Sequence, residues 1–345
     1  MAKVAIIRFS AIGDVAMTIP VIHSLATQHP EHEFLMLSRK ILAPLFSYMP
    51  ANVKFFGIDF SQKEYQGISG LQNLFGQLRK MQIDYVADLH DVLRSRYLRF
   101  RFRLSGIPVK VIDKGRVGKR KLVRRYCKVF QKQKSSFERY ADVFKDLGFS
   151  FRLDFHSLFG KEKGNVSSIQ KITGEEKGYQ WIGIAPFAKH TGKIYPINLQ
   201  EEVVAHFSSM PDKKIFLFGG GKNEQNVFEE WASKYPSVVS LAGKITLNEE
   251  LALMSRLQVM VSMDSANMHL ASLVGTPVVS IWGATHPYAG FMGWGQSEKN
   301  AVQIGLPCRP CSVYGEKPCF RKDYACLNEI KLQQVIEKIN TFLNK

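Results

Sequence analysis

Short apolar runs alternating with helical patterns constrain this chain more than any other feature. Val4-Ala5-Ile6-Ile7, Phe34-Leu35-Met36-Leu37, Val53-Lys54-Phe55-Phe56, Tyr85-Val86-Ala87-Asp88-Leu89 and Val109-Lys110-Val111-Ile112 read as strands. Helical patterns at about Val15 to Gln28, Gly70 to Met81 and Phe137 to Leu147 separate several of them. This alternation predicts a mainly parallel sheet covered by helices. Between about Gly160 and Tyr179 it lapses into Lys, Glu, Gly, Ser and Thr, the composition of a linker. Strand patterns then resume at Trp181 to Ala185, Lys214 to Phe218, Val238, Val259 to Ser262 and Pro277 to Ile281, interleaved with helical ones, and the chain closes on a helical pattern from about Asn328 to Leu343. The expectation is two α/β halves, 1–165 and 166–345, with ligands held at the carboxyl ends of the strands. A chain of 345 residues is long enough for two such cores without disulfides.

The net charge of +17 is concentrated. From Arg94 to Lys134 there are 16 Lys and Arg against one acid, Asp113, so this stretch holds +15 of the total. A cationic strip of this kind suits nucleic acid, an anionic membrane surface or an acidic substrate. No apolar run reaches the ~18–20 residues that a membrane-spanning helix needs. The opening segment imitates a signal peptide, but Arg8 and Asp14 interrupt its apolar stretch. Five Cys, an odd number, give no disulfide framework and fit a cytoplasmic location.

Several segments at strand ends carry chemistry-bearing residues. Ser10-Ala11-Ile12-Gly13-Asp14 follows the first strand; small residues there admit a ligand to the backbone, and Asp14 is either a helix-start acid or a catalytic one. Phe218-Gly219-Gly220-Gly221-Lys222-Asn223-Glu224 half-matches a dinucleotide fingerprint, with Glu224 where a third glycine belongs, so it is a tight turn or a nucleotide-approach loop whose acid accepts from sugar hydroxyls. Asp264-Ser265-Ala266-Asn267-Met268-His269 opens a helix whose first N–H groups suit an anion; His269 is either part of that site or a structural histidine. Lys189 and Lys193 lie in the loop after the first strand of the second half, where they neutralise phosphates or are simply solvated. Cys308, Cys311, Cys319 and Cys326 permit a structural metal, a disulfide or packed reduced thiols, since their spacing differs from the usual two close pairs.

In this order, the motifs resemble glycosyltransferase family 9, the ADP-heptose:lipopolysaccharide heptosyltransferases. The resemblance covers nearly the whole chain. It is carried most specifically by Lys3 to Asp14 and by Asp264-Ser265-x3-His269-x-Ala271 leading through Gly275-Thr276-Pro277 to Trp282-Gly283. It implies a GT-B fold, two Rossmann-like domains facing across a cleft, with acceptor contacts in the N-terminal one and the nucleotide sugar in the C-terminal one. By the same resemblance Asp14 is the catalytic base, Lys193 contacts the donor phosphates, Glu224 is the acid after the glycine turn, and Asp264, Ser265 and His269 form the donor motif. The sequence departs from the family pattern at Ala266, often glycine, and at Ala188-Lys189-His190, where hydroxyl residues are common.

The implied reaction is an inverting transfer of heptose from ADP-heptose, with no cofactor and no catalytic metal expected. Arg120, Lys121, Arg124 and Arg125 are then expected to bind an anionic glycolipid acceptor or the inner leaflet of the membrane, making the enzyme cytoplasmic and peripheral. Two other readings compete. A two-domain nucleotide-sugar epimerase would share the glycine and phosphate logic. A nucleic-acid-binding protein would use the strip, but no RNP, helix-turn-helix or zinc-finger pattern accompanies it, and nucleic acid is not an expected partner.

Overall fold

The computed structural model describes residues 1–344. Its contacts divide the chain into two units, one of Met1–Lys114 with Ser136–Leu158 and one of Gly115–Ser135 with the chain from Phe159 onward. The expected halves met at 165/166; the observed division falls at 158/159, and one internal segment belongs to the other unit.

In the first unit β1 (Lys3–Ile7), β2 (Glu33–Arg39), β3 (Val53–Ile58), β4 (Tyr85–Asp88) and β5 (Val109–Val111) form one sheet in the order β3-β2-β1-β4-β5, every pair parallel. Ala5 at its centre pairs with Leu35 on one side and Val86 on the other. Helices α1 (Ile12–Ala16), α2 (Ile19–Gln28), α3 (Gly67–Arg79), α4 (Leu93–Leu104) and α6 (Ser136–Asp146) belong to this unit. The pattern from Val15 to Gln28 predicts one helix, whereas two form. Pro20 has no N–H to carry the ladder back to Ala16, so the helix restarts with proline in its first turn. On α3, Leu71, Leu74, Phe75 and Leu78 recur at helical spacing and are buried. Leu74, Phe75 and Leu78 join Ile7, Leu37, Leu98 and Phe102 in the core.

The second unit carries β6 (Gln180–Ala185), β7 (Lys213–Leu217), β8 (Val238–Ser240), β9 (Val259–Met263), β10 (Val278–Ile281) and β11 (Ala301–Val302), all parallel, in the order β11-β10-β9-β6-β7-β8. Helices α5 (Arg116–Leu122), α7 (Gln170–Thr173), α8 (Ile197–Ser208), α9 (Lys222–Lys234), α10 (Leu247–Met254), α11 (Ala266–Leu273), α12 (Ala325–Asn328) and α13 (Leu332–Leu343) belong to it. All five residues of β9 are buried, as a strand covered on both faces requires. The expected linker includes the single turn α7, and the expected last helix is interrupted between Asn328 and Leu332, where Gln334 caps a fresh start by accepting from Lys331 N.

Both sheets have the doubly wound order, in which chain direction across the sheet reverses beside the first strand. The reversal lies between β1 and β4 in the first unit and between β6 and β9 in the second.

The cationic strip divides at Lys114. Its first part lies on α4 and β5; its second, Gly115–Ser135, packs within the second unit. There Lys128 Nζ donates to the carbonyls of Cys308 and Pro310 at 2.9 Å each, Gln133 N donates to Tyr288 O at 2.9 Å, and the Lys119 ammonium lies 4.0 Å from the centre of the Phe291 ring. Arg120, Lys121, Arg124 and Arg125, expected in the acceptor half, therefore belong to the second unit. Strand periodicity could not assign them, because the segment is mostly irregular and the carbonyls that Lys128 meets lie 180 and 182 residues further on.

Candidate functional site

In the first unit the chain leaving β1 meets the chain leaving β4. Arg8 is buried; its Nη1 donates to Leu89 O at 2.7 Å and its Nη2 lies 2.7 Å from Asp14 Oδ2. The same Oδ2 accepts Ala11 N at 3.2 Å, the reach-back bond of an acid at the third position of a helix. The sequence alternatives of cap and chemistry are thus compatible. One carboxylate oxygen is fixed by the helix start and the guanidinium, while Oδ1 of this 32%-exposed side chain accepts no hydrogen bond among the described residues.

Asp88, His90 and Asp91 close the other side. Asp88 is fully buried, accepts the N–H groups of His90 and Asp91 at 2.9 Å each, and pairs with Arg99 at 3.2 Å. Burial opposes ionisation of Asp91, but its bonds and charge pairing with Arg96 and Arg99 outweigh that and hold its carboxyl at about 2. Part of the α4 charge is therefore spent on fixing this loop. His90 Nδ1 accepts Phe9 N at 3.3 Å. Burial, with the charges of Arg8 and Lys114, pushes its imidazole down to about 4, so the ring is neutral at pH 7 with its proton on Nε2. Sequence reasoning quoted Arg8 without a role and missed His90. The signal was available, since Asp88-Leu89-His90-Asp91 also stands at a strand's carboxyl end.

In the second unit the loops after β6 and β9 meet in the same way. Lys193, at the end of a single 3₁₀ turn Thr191–Lys193, donates to Asp264 O at 2.8 Å and lies 3.0 Å from Asp264 Oδ2. Thr285 Oγ1 donates to the same Oδ2 at 2.8 Å. Gly315 makes room for the lysine stem: a Cβ there would come within 2.6 Å of Lys193 Cγ, and its φ of +80° already favours glycine.

Ser265 is the N-cap of α11, yet its side chain makes no capping bond and its Oγ lies 3.2 Å from Ser262 Oγ. The first N–H groups of α11 are thus available to an anion, beside a cation already in place. His269 is buried within the helix. Glu224 Oε2 accepts Gly220 N at 2.8 Å and fills the space a Cβ at Gly219 would need, which explains the glycine. Burial raises the Glu224 carboxyl, with the Gly220 N–H opposing it.

Lys193, Asp264 and Ser265 are accordingly brought together, joined by Thr285, which sequence reasoning missed. Glu224 stands in the first turn of α9, which follows β7, the strand next to β6. Arg120, Lys121, Arg124 and Arg125 are solvent-exposed on and after α5.

The four late cysteines surround one small cavity of about 10 Å³. Among the described residues no three of their sulfurs lie within 4.8 Å of one another, whereas sulfurs on one tetrahedral ion at ~2.3 Å sit about 3.8 Å apart. Cys311 Sγ points to Ala284 O at 4.0 Å and Cys319 Sγ to Asp323 Oδ1 at 3.9 Å; burial pushes Cys326 up to about 12 and raises Cys311. None of the four is in a disulfide. His29, Glu31 and His32 do cluster, but His32 Nδ1 already accepts Ala2 N at 3.0 Å, which leaves the proton on the nitrogen that would have to ligate.

Over its whole length the chain aligns with the solved structure of E. coli ADP-heptose lps heptosyltransferase II, at a TM-score of 0.72, 18% identity and coverage of 100% of this chain and 99% of that one. A glycosyl transferase family 9 structure from Veillonella parvula gives a TM-score of 0.75 at 17% identity, covering 99% and 97%. These likenesses establish a GT-B fold of two parallel-sheet α/β domains. In sequence, the chain is 24% identical over 339 residues to lipooligosaccharide heptosyltransferase 2 of Campylobacter jejuni, covering 96% of this chain and 95% of that protein. The profile of glycosyltransferase family 9 (heptosyltransferase) matches residues 71–322. With a family match across most of its length, this chain is a glycosyltransferase and belongs to glycosyltransferase family 9.

Proposed function

We propose that this enzyme transfers a heptose from ADP-heptose to a sugar of a lipopolysaccharide core acceptor, inverting the anomeric centre. The observation that carries the reading is the Lys193–Asp264 pair beside the uncapped start of α11, at the reversal point of the second sheet. That is a preformed site for a diphosphate. The family match, and relatives whose names specify lipooligosaccharide heptosyl transfer, support the donor and acceptor classes.

On this reading Asp14 Oδ1 accepts the proton of an acceptor hydroxyl as that oxygen bonds to the anomeric carbon and the bond to the ADP oxygen breaks. Arg8 and Ala11 N hold the carboxylate by its other oxygen, so Oδ1 is oriented before substrate arrives. Lys193 and the first N–H groups of α11 take up the charge that grows on the leaving diphosphate. Asp264, Ser265 and His269 complete the donor motif, and Glu224 accepts from ribose hydroxyls. The first unit contributes the base and the second the donor site.

Arg120, Lys121, Arg124 and Arg125 bind the anionic glycolipid surface. Exposed Val117, Tyr126 and Val129 on the same segment support this, since cationic and apolar groups together suit a lipid headgroup boundary. Among the described residues no helix is long and apolar enough to cross a membrane. The enzyme then works at the cytoplasmic face as a peripheral protein.

The test is to incubate the protein with a panel of ADP- and UDP-sugars and a truncated lipid acceptor, identifying the product by mass spectrometry. Conversion of free nucleotide sugar without acceptor would instead indicate an epimerase. In Asp14→Asn, kcat is expected to fall about 10²- to 10⁴-fold while ADP affinity, measured by calorimetry, stays unchanged. Retention of most of the activity removes Asp14 as the base.

A further inference from the structure

The second unit contains a cavity of about 460 Å³ lined by Lys128, Phe130, His286, Leu306, Pro307 and Arg309, none of which takes part in the transfer proposed above. Two of these side chains are cations, and neither has a carboxylate within 4.0 Å among the described residues. Their hydrogen bonds go to neutral oxygens instead. Arg309, 6% exposed, donates to the carbonyls of Gly283, Ile304 and Thr285 and to Gln303 Oε1. Lys128 donates to the carbonyls of Cys308 and Pro310.

A guanidinium has five N–H donors and an ammonium three, so each cation keeps one in reserve. His286 supplies another. Its Nδ1 accepts Tyr288 N at 3.0 Å, which leaves the proton of the neutral ring on Nε2, where it makes no hydrogen bond among the described residues. Burial and the two neighbouring cations push this imidazole down to about 4, and Arg309, lowered by burial to about 10, stays charged at neutral pH.

Two positive charges and three unused donors around one cavity match the phosphate monoester, which carries about −1.5 to −2 charge and three terminal acceptor oxygens. The remaining wall is apolar. The Phe130 ring lies 4.9 Å from His286 and 4.9 Å from Tyr288, centre to centre, and Leu306 and Pro307 face the same space. Such a surface receives the C–H face of a sugar ring.

The cavity is one residue from the donor motif. Thr285, whose hydroxyl bonds Asp264, gives its carbonyl to Arg309 and is followed by His286. The donor diphosphate already has Lys193 and the start of α11, so a second anion site beside it belongs to a different ligand. We infer that this cavity is a subsite for a phosphate monoester on a sugar of the glycan acceptor, an inference that rests on the transferase reading above.

The test is calorimetric and needs no turnover, which separates its failure from failure of the transferase reading. Core oligosaccharide, intact and after enzymatic dephosphorylation, is titrated into wild type, Lys128→Gln, Lys128→Arg and His286→Asn, the last retaining an acceptor for Tyr288 N. Wild type is expected to bind the intact glycan about tenfold more tightly than the dephosphorylated one, the size of one charge-assisted contact. Lys128→Gln and His286→Asn lose this preference, Lys128→Arg retains it, and ADP affinity is the same in all four. Loss of affinity for both glycans alike would mean that Lys128 only props the Cys308–Pro310 loop, and would overturn the subsite. Binding of inorganic phosphate that Lys128→Gln abolishes, with no preference between the glycans, would assign the cavity to free phosphate and overturn the acceptor assignment.

Discussion

Replacing Gly315 by alanine perturbs the donor site without touching any of its polar atoms. Two costs arise. The first is conformational, since an L-residue at φ +80° loses roughly 1–2 kcal/mol. The second is steric: the new Cβ would sit 2.6 Å from Cγ, 3.0 Å from Cε and 3.2 Å from Cδ of Lys193, so the lysine stem must move as a whole. That movement breaks the 2.8 and 3.0 Å contacts of Nζ with Asp264, a carboxylate whose side chain is only 6% exposed. Loss of a buried partner adds up to about 3 kcal/mol, because Thr285 alone then supports the charge. Gly295→Ala is the control, with a φ of +66° and no atom within 4 Å of the added carbon. Urea unfolding should show both variants destabilised, Gly315→Ala by about 2–3 kcal/mol more. Calorimetry with ADP should show weaker binding only in Gly315→Ala. Equal stability of the two variants, with equal ADP affinity, would refute the claim that this glycine exists to seat the lysine.

Other outcomes follow from the same geometry. Thr285→Val keeps the shape of the side chain but removes one of the two donors to Asp264 Oδ2, so stability should fall by about 1–3 kcal/mol and ADP affinity should fall less than in Lys193→Met; a larger loss in the threonine variant would reverse their ranking. His90 has a folded pKa of about 4 against an ordinary 6.5, so the unfolded chain binds the extra proton first on acidification. Its stabilising effect is complete above about pH 6.5 and is lost as pH falls toward 4. His90→Gln should therefore show a shallower decline in stability over that window than wild type, and parallel curves would contradict the burial of a neutral ring.

Much of the fold was legible because parallel strands buried on both faces must be short apolar runs. Val4–Ile7 and Val259–Ser262 were found on that ground, and both proved to be strands flanking a chain reversal. Asp14, Lys193 and Asp264 were legible because each follows such a run. Their partners were not. Nothing local in the sequence ties Arg8 to Leu89 O, or Thr285 to Asp264, since each bond spans a crossover that only the sheet order creates. Pro20 did mark a break in the first helical pattern, but apolar periodicity continues through it and hides the restart. The charge strip was the least legible feature. Composition shows how many cations it holds, but Arg99 is consumed by Asp88 and Asp91 while Arg120 and Lys121 stay in solvent, and only the fold separates the two cases.

The excursion of Gly115–Ser135 makes the second unit discontinuous in sequence, so the polypeptide passes from one unit to the other three times. No single cut in the gene can then release an intact second unit. A fragment beginning at Phe159 would leave the Cys308 and Pro310 carbonyls without their ammonium donor and uncover the rings of Phe291 and Phe320, over which Lys119 and Arg125 lie. During synthesis the same segment emerges nearly two hundred residues before the last of its neighbours and has to wait for them. A fragment-complementation system for this enzyme must therefore carry 115–135 with the later piece, by circular permutation or as a separate peptide.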